Sequence, residues 1–157
     1  METFCADSVL RGYHIYKDIP WEPTIGTILP CKREAFNLHD PYAVAAMNHG
    51  VVVGHVSRSI SALCSIFLRR GGVICCEITG TRQHSSDLPQ GGLELPCKLK
   101  FSAASKEITK IRKLLTQVPK SDEVTNSNTS ASSPKLTTVE VKSSHSVKEL
   151  QSYQVLK

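Results

Sequence analysis

The sequence has few of the features that mark membrane-spanning or exported proteins. Within its 157 residues no apolar run approaches the roughly 20 residues that cross a bilayer. The N-terminus lacks a basic segment followed by an apolar one, so we expect no secretory signal peptide. Hydrophobic residues make up 40% of the chain and charged residues 21%, as in ordinary globular proteins. We therefore expect a soluble protein that stays inside the cell and has no membrane partner.

Motifs for catalysis and metal binding are also missing. The sequence has neither a GxSxG nucleophile elbow nor a GxxxxGK(S/T) phosphate loop. Its cysteines and histidines lack the CxxC or HxxxH spacing of a structural zinc site. The adjacent Cys75 and Cys76 would point to opposite faces of a strand. We predict no enzyme activity, cofactor or metal, although a cysteine and a histidine brought together by the fold would be compatible with the sequence.

Six cysteines raise the alternative of a disulfide framework. The cytosol and the nucleus keep the cysteine thiols of a protein in their reduced form. Most of these cysteines also have apolar neighbours, among which a thiol packs as a small hydrophobic group. We therefore predict reduced core thiols. The six are Cys5, Cys31, Cys64, Cys75, Cys76 and Cys97.

The positive charge is concentrated towards the C-terminus. Residues 1–101 contain ten Lys/Arg and nine Asp/Glu, a net charge of +1, whereas residues 102–157 contain nine and five, a net charge of +4. Within 102–119, isoleucine and leucine recur at helical spacing with lysines on the other faces. This pattern predicts an amphipathic C-terminal helix, either docked on the domain or assisting nucleic-acid or partner binding. The Ser/Thr-rich residues 120–157 have few side chains to pack and are expected to be disordered.

Residues 9–101 show a mainly β pattern, and residues 1–8 are expected to form an N-terminal extension. Short apolar runs between turn residues predict strands, and NHG at 48–50 predicts a hairpin turn. The predicted strands are 9–16, 24–31, 42–47, 50–56, 72–80 and 94–101. Apolar spacing in 57–70 predicts one helix, with a serine hydroxyl capping its start and Gly71 at its end. Five or six strands with an inserted helix favour a small modified OB-like or Greek-key β-barrel.

A polar loop between the second and third predicted strands is the strongest candidate for a binding site. Asn37, His39 and Asp40 lie close together there, beside the basic pair Lys32 and Arg33. Amide and carboxylate groups can hydrogen-bond a hydroxyl-bearing ligand in a fixed geometry. The alternative is that these side chains only satisfy backbone groups of the turn.

The same segment carries a resemblance to a known family. RExxNxxDxxAV at 33–44 and VGHVSR at 53–58 closely resemble the HIRAN domain family. GYHIY at 12–16 and GGLELPCKL at 91–99 match strands of that family, so the resemblance spans about residues 9–101. It implies a modified OB-like barrel that binds single-stranded DNA and captures its 3′ end. We accordingly expect a monomeric, nuclear, stand-alone module, lacking the ATPase and RING parts of larger relatives, with partners among DNA-repair or chromatin proteins.

The resemblance also implies roles for individual residues. Asp40 would accept a hydrogen bond from the 3′-hydroxyl, with Asn37 beside it. Tyr16 would offer a stacking surface to a base. His55 and Arg58 would contact the DNA backbone, where a cation acts by neutralising phosphate.

Arg33 has two interpretations at this stage. It either contacts DNA directly or pairs with Asp40 or Glu34 and orients the loop. The complete predicted set of nucleic-acid-binding residues is His14, Tyr16, Arg33, Asn37, Asp40, His55, Arg58 and Leu93.

Several positions depart from the family pattern. His14 and Ile15 stand where an arginine and a second tyrosine would be expected, and Leu93 replaces a phenylalanine. Tyr42 is expected to pack against the domain. The changes at positions 14, 15 and 93 weaken one cationic contact and remove two aromatic surfaces. They favour a rival hypothesis, a protein-interaction module that keeps the fold but has lost the DNA-end pocket.

Overall fold

The computed structural model describes residues 1–12, 21–86 and 92–119. Within these ranges the chain forms seven strands and two helices. The strands are Glu2–Arg11 (β1), Ile28–Arg33 (β2), Val44–Asn48 (β3), Val51–Val56 (β4), Val73–Ile78 (β5), Gln83–His84 (β6) and Leu93–Ala103 (β7), and the helices are Arg58–Arg69 (α1) and Ser105–Thr116 (α2). Neither of these helices combines the length and apolar character needed to cross a membrane.

Six of these strands close into an antiparallel barrel. Their order is β1-β4-β3-β2-β5-β7, and β7 pairs with β1 to close the barrel. The short β6 pairs antiparallel with the first two residues of β7. The closing ladder runs from Glu2 opposite Ala103 to Leu10 opposite Leu95. Closure leaves the described barrel strands paired on both sides over part of their length, which protects their backbone groups. The predicted mainly β, OB-like architecture with an inserted helix is confirmed.

The expected N-terminal extension over residues 1–8 is wrong, because this segment is most of β1. Every second side chain from Phe4 to Leu10 turns towards the interior, and Leu10 is fully buried. The Phe4 ring lies 6.0 Å from that of Phe101 and carries the guanidinium of Arg112 5.2 Å above it. Burial of one face against β7 and α2 therefore makes the first residues part of the barrel wall.

The C-terminal helix docks on the barrel, as one of the two interpretations predicts. β7 continues to Ala103, two residues beyond the predicted end of the barrel, and α2 follows at once. Ile108 and Ile111 are buried against β1, β7 and α1. The lysines of α2 remain exposed on its other faces. Burial of the apolar face fixes α2 to the domain.

The core contains four of the six cysteines, which are all free thiols. Burial raises the pKa of Cys31 far above its ordinary value and that of Cys64 to about 12. The pKa of Cys97 is also raised, mainly by a hydrogen bond with Cys76 and to a smaller extent by burial. Cys75 is only half-buried, so the two adjacent thiols do face opposite sides of β5. The raised pKa keeps the thiols of Cys31, Cys64 and Cys97 protonated at neutral pH. All four buried cysteines pack in the hydrophobic core, as predicted.

The predicted helix and hairpin turn are confirmed, with one difference. Ser57 is the N-cap residue of α1, but its hydroxyl contacts that of Ser59 at 3.0 Å and makes no capping hydrogen bond. The helix ends where Gly71 adopts a φ of +87°, which a residue with a side chain rarely takes. The β3–β4 turn likewise places Gly50 at a φ of +83°.

Candidate nucleic-acid interface

The candidate loop connects β2 to β3 and covers residues 34–43. Its base is closed by a hydrogen bond from the Glu34 N–H to the Ala43 carbonyl, at 2.9 Å. Two turns follow, with the Asn37 N–H bonded to the Glu34 carbonyl and the Ala43 N–H bonded to the Asp40 carbonyl. The loop is therefore a pair of consecutive turns whose ends are tied together.

Asn37 holds the first of these turns in place. Its Nδ2 donates to Glu34 Oε2 at 2.9 Å, and its Oδ1 accepts from the backbone N–H groups of His39 and Asp40 at 2.9 and 3.1 Å. The turn-satisfying interpretation thus applies to Asn37. This side chain fixes the backbone that carries Asp40, and its own polar atoms already have partners.

Glu34 joins the loop to the barrel wall. His55 Nε2 on β4 lies 2.6 Å from Glu34 Oε2, with the two side chains 25% and 28% exposed. Burial by itself would raise the pKa of Glu34, but hydrogen bonds from Asn37 and His55, together with the charge of His55, lower it below its ordinary value of 4.5. Glu34 is therefore an anionic hub that positions both predicted residues. His55 acts first as its partner, and a DNA-backbone contact would be additional.

Asp40 lies against the first turns of α1. Its Oδ1 accepts from the Tyr42 N–H at 2.8 Å, while its Oδ2 lies 3.5 Å from the Ser61 hydroxyl. That hydroxyl also contacts the Arg58 carbonyl at 3.4 Å. A separation of 3.5 Å makes a weak hydrogen bond, so Oδ2 keeps capacity to accept a stronger one.

Arg33 does not pair with either of the carboxylates predicted for it. Its Nε donates to the Ser65 hydroxyl on α1 at 2.9 Å, and no ion pair joins it to Asp40 or Glu34. As the last residue of β2, Arg33 instead links the strand end to the helix beside the loop. The structural role holds, with a different partner from the one expected.

The remaining predicted residues lie in different parts of the chain, and two of them are outside the described residues. Arg58 is exposed as the first residue of α1, one turn before the Ser61 that faces Asp40. Leu93 begins β7 opposite His84 and packs partly against the core. His14 and Tyr16 lie outside the described residues. The structure thus places five predicted residues on neighbouring segments: Arg33 at the end of β2, Asn37 and Asp40 in the β2–β3 loop, His55 on β4 and Arg58 at the start of α1.

A partly buried ion pair flanks this site. Arg11 lies directly opposite His55 in the β1–β4 ladder, so the two side chains share a face. Arg11 Nε is 3.4 Å from an oxygen of Glu94, whose residue is 6% exposed and also accepts from Gln83 at 3.1 Å. Removing one partner of such a pair would leave a buried charge uncompensated. The pair is a structural support next to the site.

Sequence reasoning missed the apolar side chains of the loop. Phe36 and Leu38 are each 96% exposed, and Tyr42, which was expected to pack, is 47% exposed. A concave surface of about 390 Å³ is lined by Ala35, Phe36 and the polar residues Arg33, Glu34 and Asn37. No group of three His, Cys, Asp or Glu side chains in the described ranges is arranged to hold a metal.

The geometry defines an OB-like barrel with a polar loop and an exposed apolar tip on one surface. The sequence matches no protein-family model and no curated protein. The fold is similar to the HIRAN domain of human HLTF, with a TM-score of 0.57 and 13% identity over 72% of this chain and 87% of that one. A protein from Lactobacillus plantarum is also similar, with a TM-score of 0.46 and 16% identity over 64% of this chain and 100% of that one. The described part of the chain has a HIRAN-like fold.

Proposed function

We propose that this protein is a non-catalytic nucleic-acid-binding module that binds single-stranded DNA and holds its 3′ end at the β2–β3 loop. The observation that carries the proposal is the Asp40 carboxylate. One of its oxygens is committed to the loop backbone, and the other faces α1 with only a 3.5 Å contact to Ser61. A 3′-hydroxyl is a donor of the kind this oxygen can accept, whereas a 3′-phosphate would be repelled by the carboxylate.

The hydrogen bonds around Asp40 favour binding without rearrangement. The contacts from His55 to Glu34, from Asn37 to Glu34 and from the Asp40 N–H to Asn37 form one chain from the barrel wall to the site. A loop already held in one conformation loses less entropy when it binds. The same chain explains how Asn37 and His55 support end capture without touching DNA.

Cations around the loop can meet the phosphates of the strand. Lys32 on β2 and Arg58 at the start of α1 are exposed, and Arg33 lines the concave surface at the loop. The near-neutral charge of residues 1–101 argues against a long electrostatic track, so we expect few phosphate contacts and a shallow salt dependence. Such a binder would recognise an end rather than coat a strand.

The test is a comparison of two DNA ends. Fluorescence anisotropy would measure binding of the full-length protein to a short single strand that ends in 3′-hydroxyl or in 3′-phosphate, over a series of salt concentrations. We expect tighter binding to the hydroxyl end, and Asp40→Ala should abolish this preference. Asp7→Ala removes a carboxylate that is exposed on β1 and serves as the matched control.

The outcomes separate the proposal from its alternatives. Equal binding to both ends, falling steeply with salt, would mean attraction to phosphate alone. No binding at low salt would overturn the proposal. It would favour the rival protein-interaction module, which is supported by Leu93, because this side chain packs partly on the core rather than standing out as a stacking surface.

The cellular setting follows from the proposed activity. A protein that captures DNA 3′ ends would act in the nucleus, beside DNA-repair or chromatin proteins, and we propose that it does so as a monomer. Imaging of the tagged full-length protein tests the location, and light scattering tests the monomer.

A further inference from the structure

Two large apolar side chains stand almost fully in solvent at the tip of the β2–β3 loop. Phe36 and Leu38 are each 96% exposed, whereas the exposed apolar residues of the strands are covered more, with 45% exposure for Val51, 52% for Val73 and 65% for Ile28. Folding buries nearly nothing of these two side chains, so they contribute almost nothing to stability. Paired exposed apolar residues beside a candidate site point to binding.

The tip is held in position by the residue between its two apolar side chains. Asn37 bonds Glu34 and the backbone of His39 and Asp40, so the chain on either side of it is fixed. Phe36 and Leu38 therefore project from an anchored turn that also carries Asp40. Because the backbone of this turn is already fixed, contact with a ligand would cost only the entropy of the side chain itself.

The surroundings of Phe36 match the chemistry of a nucleobase. Phe36 lines a concave surface of about 390 Å³ together with Ala35 and the polar residues Arg33, Glu34 and Asn37. A nucleobase has a flat π-face and polar edges, and aromatic rings stack on such faces whatever the base. A purely apolar protein segment would meet mostly polar residues on this surface.

We infer that Phe36 stacks on an unpaired base close to the bound 3′ end, with Leu38 packed beside it. This inference rests on the proposed function of the same loop. It assigns the base-stacking surface of the site to the loop tip, which would supply aromatic contact where Leu93 does not. Stacking contributes about 1–3 kcal/mol per base, which corresponds to a change in affinity of about 5-fold to 150-fold.

The experiment is a double-mutant cycle between the protein and the strand. Binding of the full-length protein and of Phe36→Ala would be measured with a 3′-hydroxyl strand and with strands in which each of the last three nucleotides in turn is abasic. We expect Phe36→Ala to lose 5-fold to 150-fold on the intact strand and much less when the stacked base is missing. Phe36→Tyr should keep the affinity, and Phe36→Leu, apolar but without a π-face, should not.

Controls distinguish this inference from the proposed function. Val73→Ala truncates an exposed apolar residue on β5 and should bind like the wild type. If Asp40→Ala abolishes the hydroxyl preference while Phe36→Ala binds normally, the stacking inference is wrong and end capture stands. An equal loss on intact and abasic strands would also overturn stacking. If the wild type binds no DNA, both the stacking inference and the proposed function are wrong, and the rival protein-interaction hypothesis is favoured.

Discussion

Phe101 and Phe36 are the same residue type in opposite environments. Phe101 on β7 is fully buried, with its ring 6.0 Å from Phe4 and 5.4 Å from Phe67 in an edge-on arrangement. Phe36 lies in the β2–β3 loop and is 96% exposed. Apolar contact orders the barrel interior, whereas hydrogen bonds from Asn37 and Glu34 order the loop and leave its apolar groups outside.

The difference shows how stability and binding are divided in this domain. The interior carries the hydrophobic free energy, and its aliphatic, aromatic and thiol side chains are shielded from ligands. In the loop, the polar groups hydrogen-bond to one another and fix the backbone, and Phe36 is left exposed to solvent. Substitutions should therefore affect stability in the interior and binding in the loop.

The largest expected effect separates the two phenylalanines. Phe101→Ala should lower the free energy of unfolding by about 3–5 kcal/mol, because it removes a fully buried ring and leaves a cavity. Phe36→Ala should change it by less than about 0.5 kcal/mol. Urea unfolding followed by the fluorescence of Trp21, which packs partly against the core, measures both.

A milder substitution keeps this comparison measurable if Phe101→Ala does not fold. Phe101→Leu retains most of the volume and should cost less than Phe101→Ala while remaining clearly destabilising. A loss of several kcal/mol for Phe36→Ala would contradict the comparison, because it would mean that the loop tip packs against the domain in solution.

An intermediate effect is expected where the loop is held together. Asn37→Asp keeps the Oδ1 that accepts from His39 and Asp40 but places an oxygen where Nδ2 now donates to Glu34, 2.9 Å away. Two carboxylates would then face each other in a partly buried site. We expect a loss of about 1–2 kcal/mol in unfolding free energy, and a weaker preference for the 3′-hydroxyl.

Asn48→Asp is the matched control for this change. It introduces the same charge at the end of β3, away from the loop. A destabilisation equal to that of Asn37→Asp would show that added negative charge, and not the contact with Glu34, is responsible.

Much of the barrel could be predicted from local patterns. The central strands and α1 have apolar residues at the spacing of their element, so their positions were recognisable. Residues 2–8 of β1 were not, because their inward side chains include the small Ala6 and Ser8 and their partners on β7 lie about 90 to 100 residues away. Only pairing across that distance makes residues 1–8 a strand.

In the candidate site, too, local sequence predicts some features, whereas others depend on residues far along the chain. The residue types of Asn37 and Asp40 marked a polar loop with donors and acceptors. The hub role of Glu34 depends on His55, 21 positions further on, and the anchor of Arg33 is Ser65, 32 positions further on. Neither partner follows from spacing along the chain. The exposure of Phe36 likewise depends on the direction of an anchored turn.

The smallest expected effect concerns the acid stability of the loop. The pKa of Glu34 is lowered in the folded protein, since the hydrogen bonds from Asn37 and His55 outweigh the effect of burial. The unfolded chain therefore binds a proton at this group more readily than the folded chain. The stabilisation from Glu34 is fully present above its ordinary pKa of 4.5 and is lost as the pH falls through the lower, folded value.

Glu34→Gln exposes this contribution as a difference between two proteins. At pH 7 the variant should be less stable by up to about 1 kcal/mol, because the pair with His55 is partly screened by solvent. Below pH 4.5 the difference should shrink, since the carboxyl of the unfolded wild-type chain takes up a proton first and that of the folded protein follows at its lower pKa. Urea unfolding from pH 7 to pH 3 measures it, with Glu22→Gln at an exposed position as the control. A difference that stays constant with pH would show that Glu34 contributes through its shape and not through its charge, and the loop would then resemble the barrel interior in what holds it together.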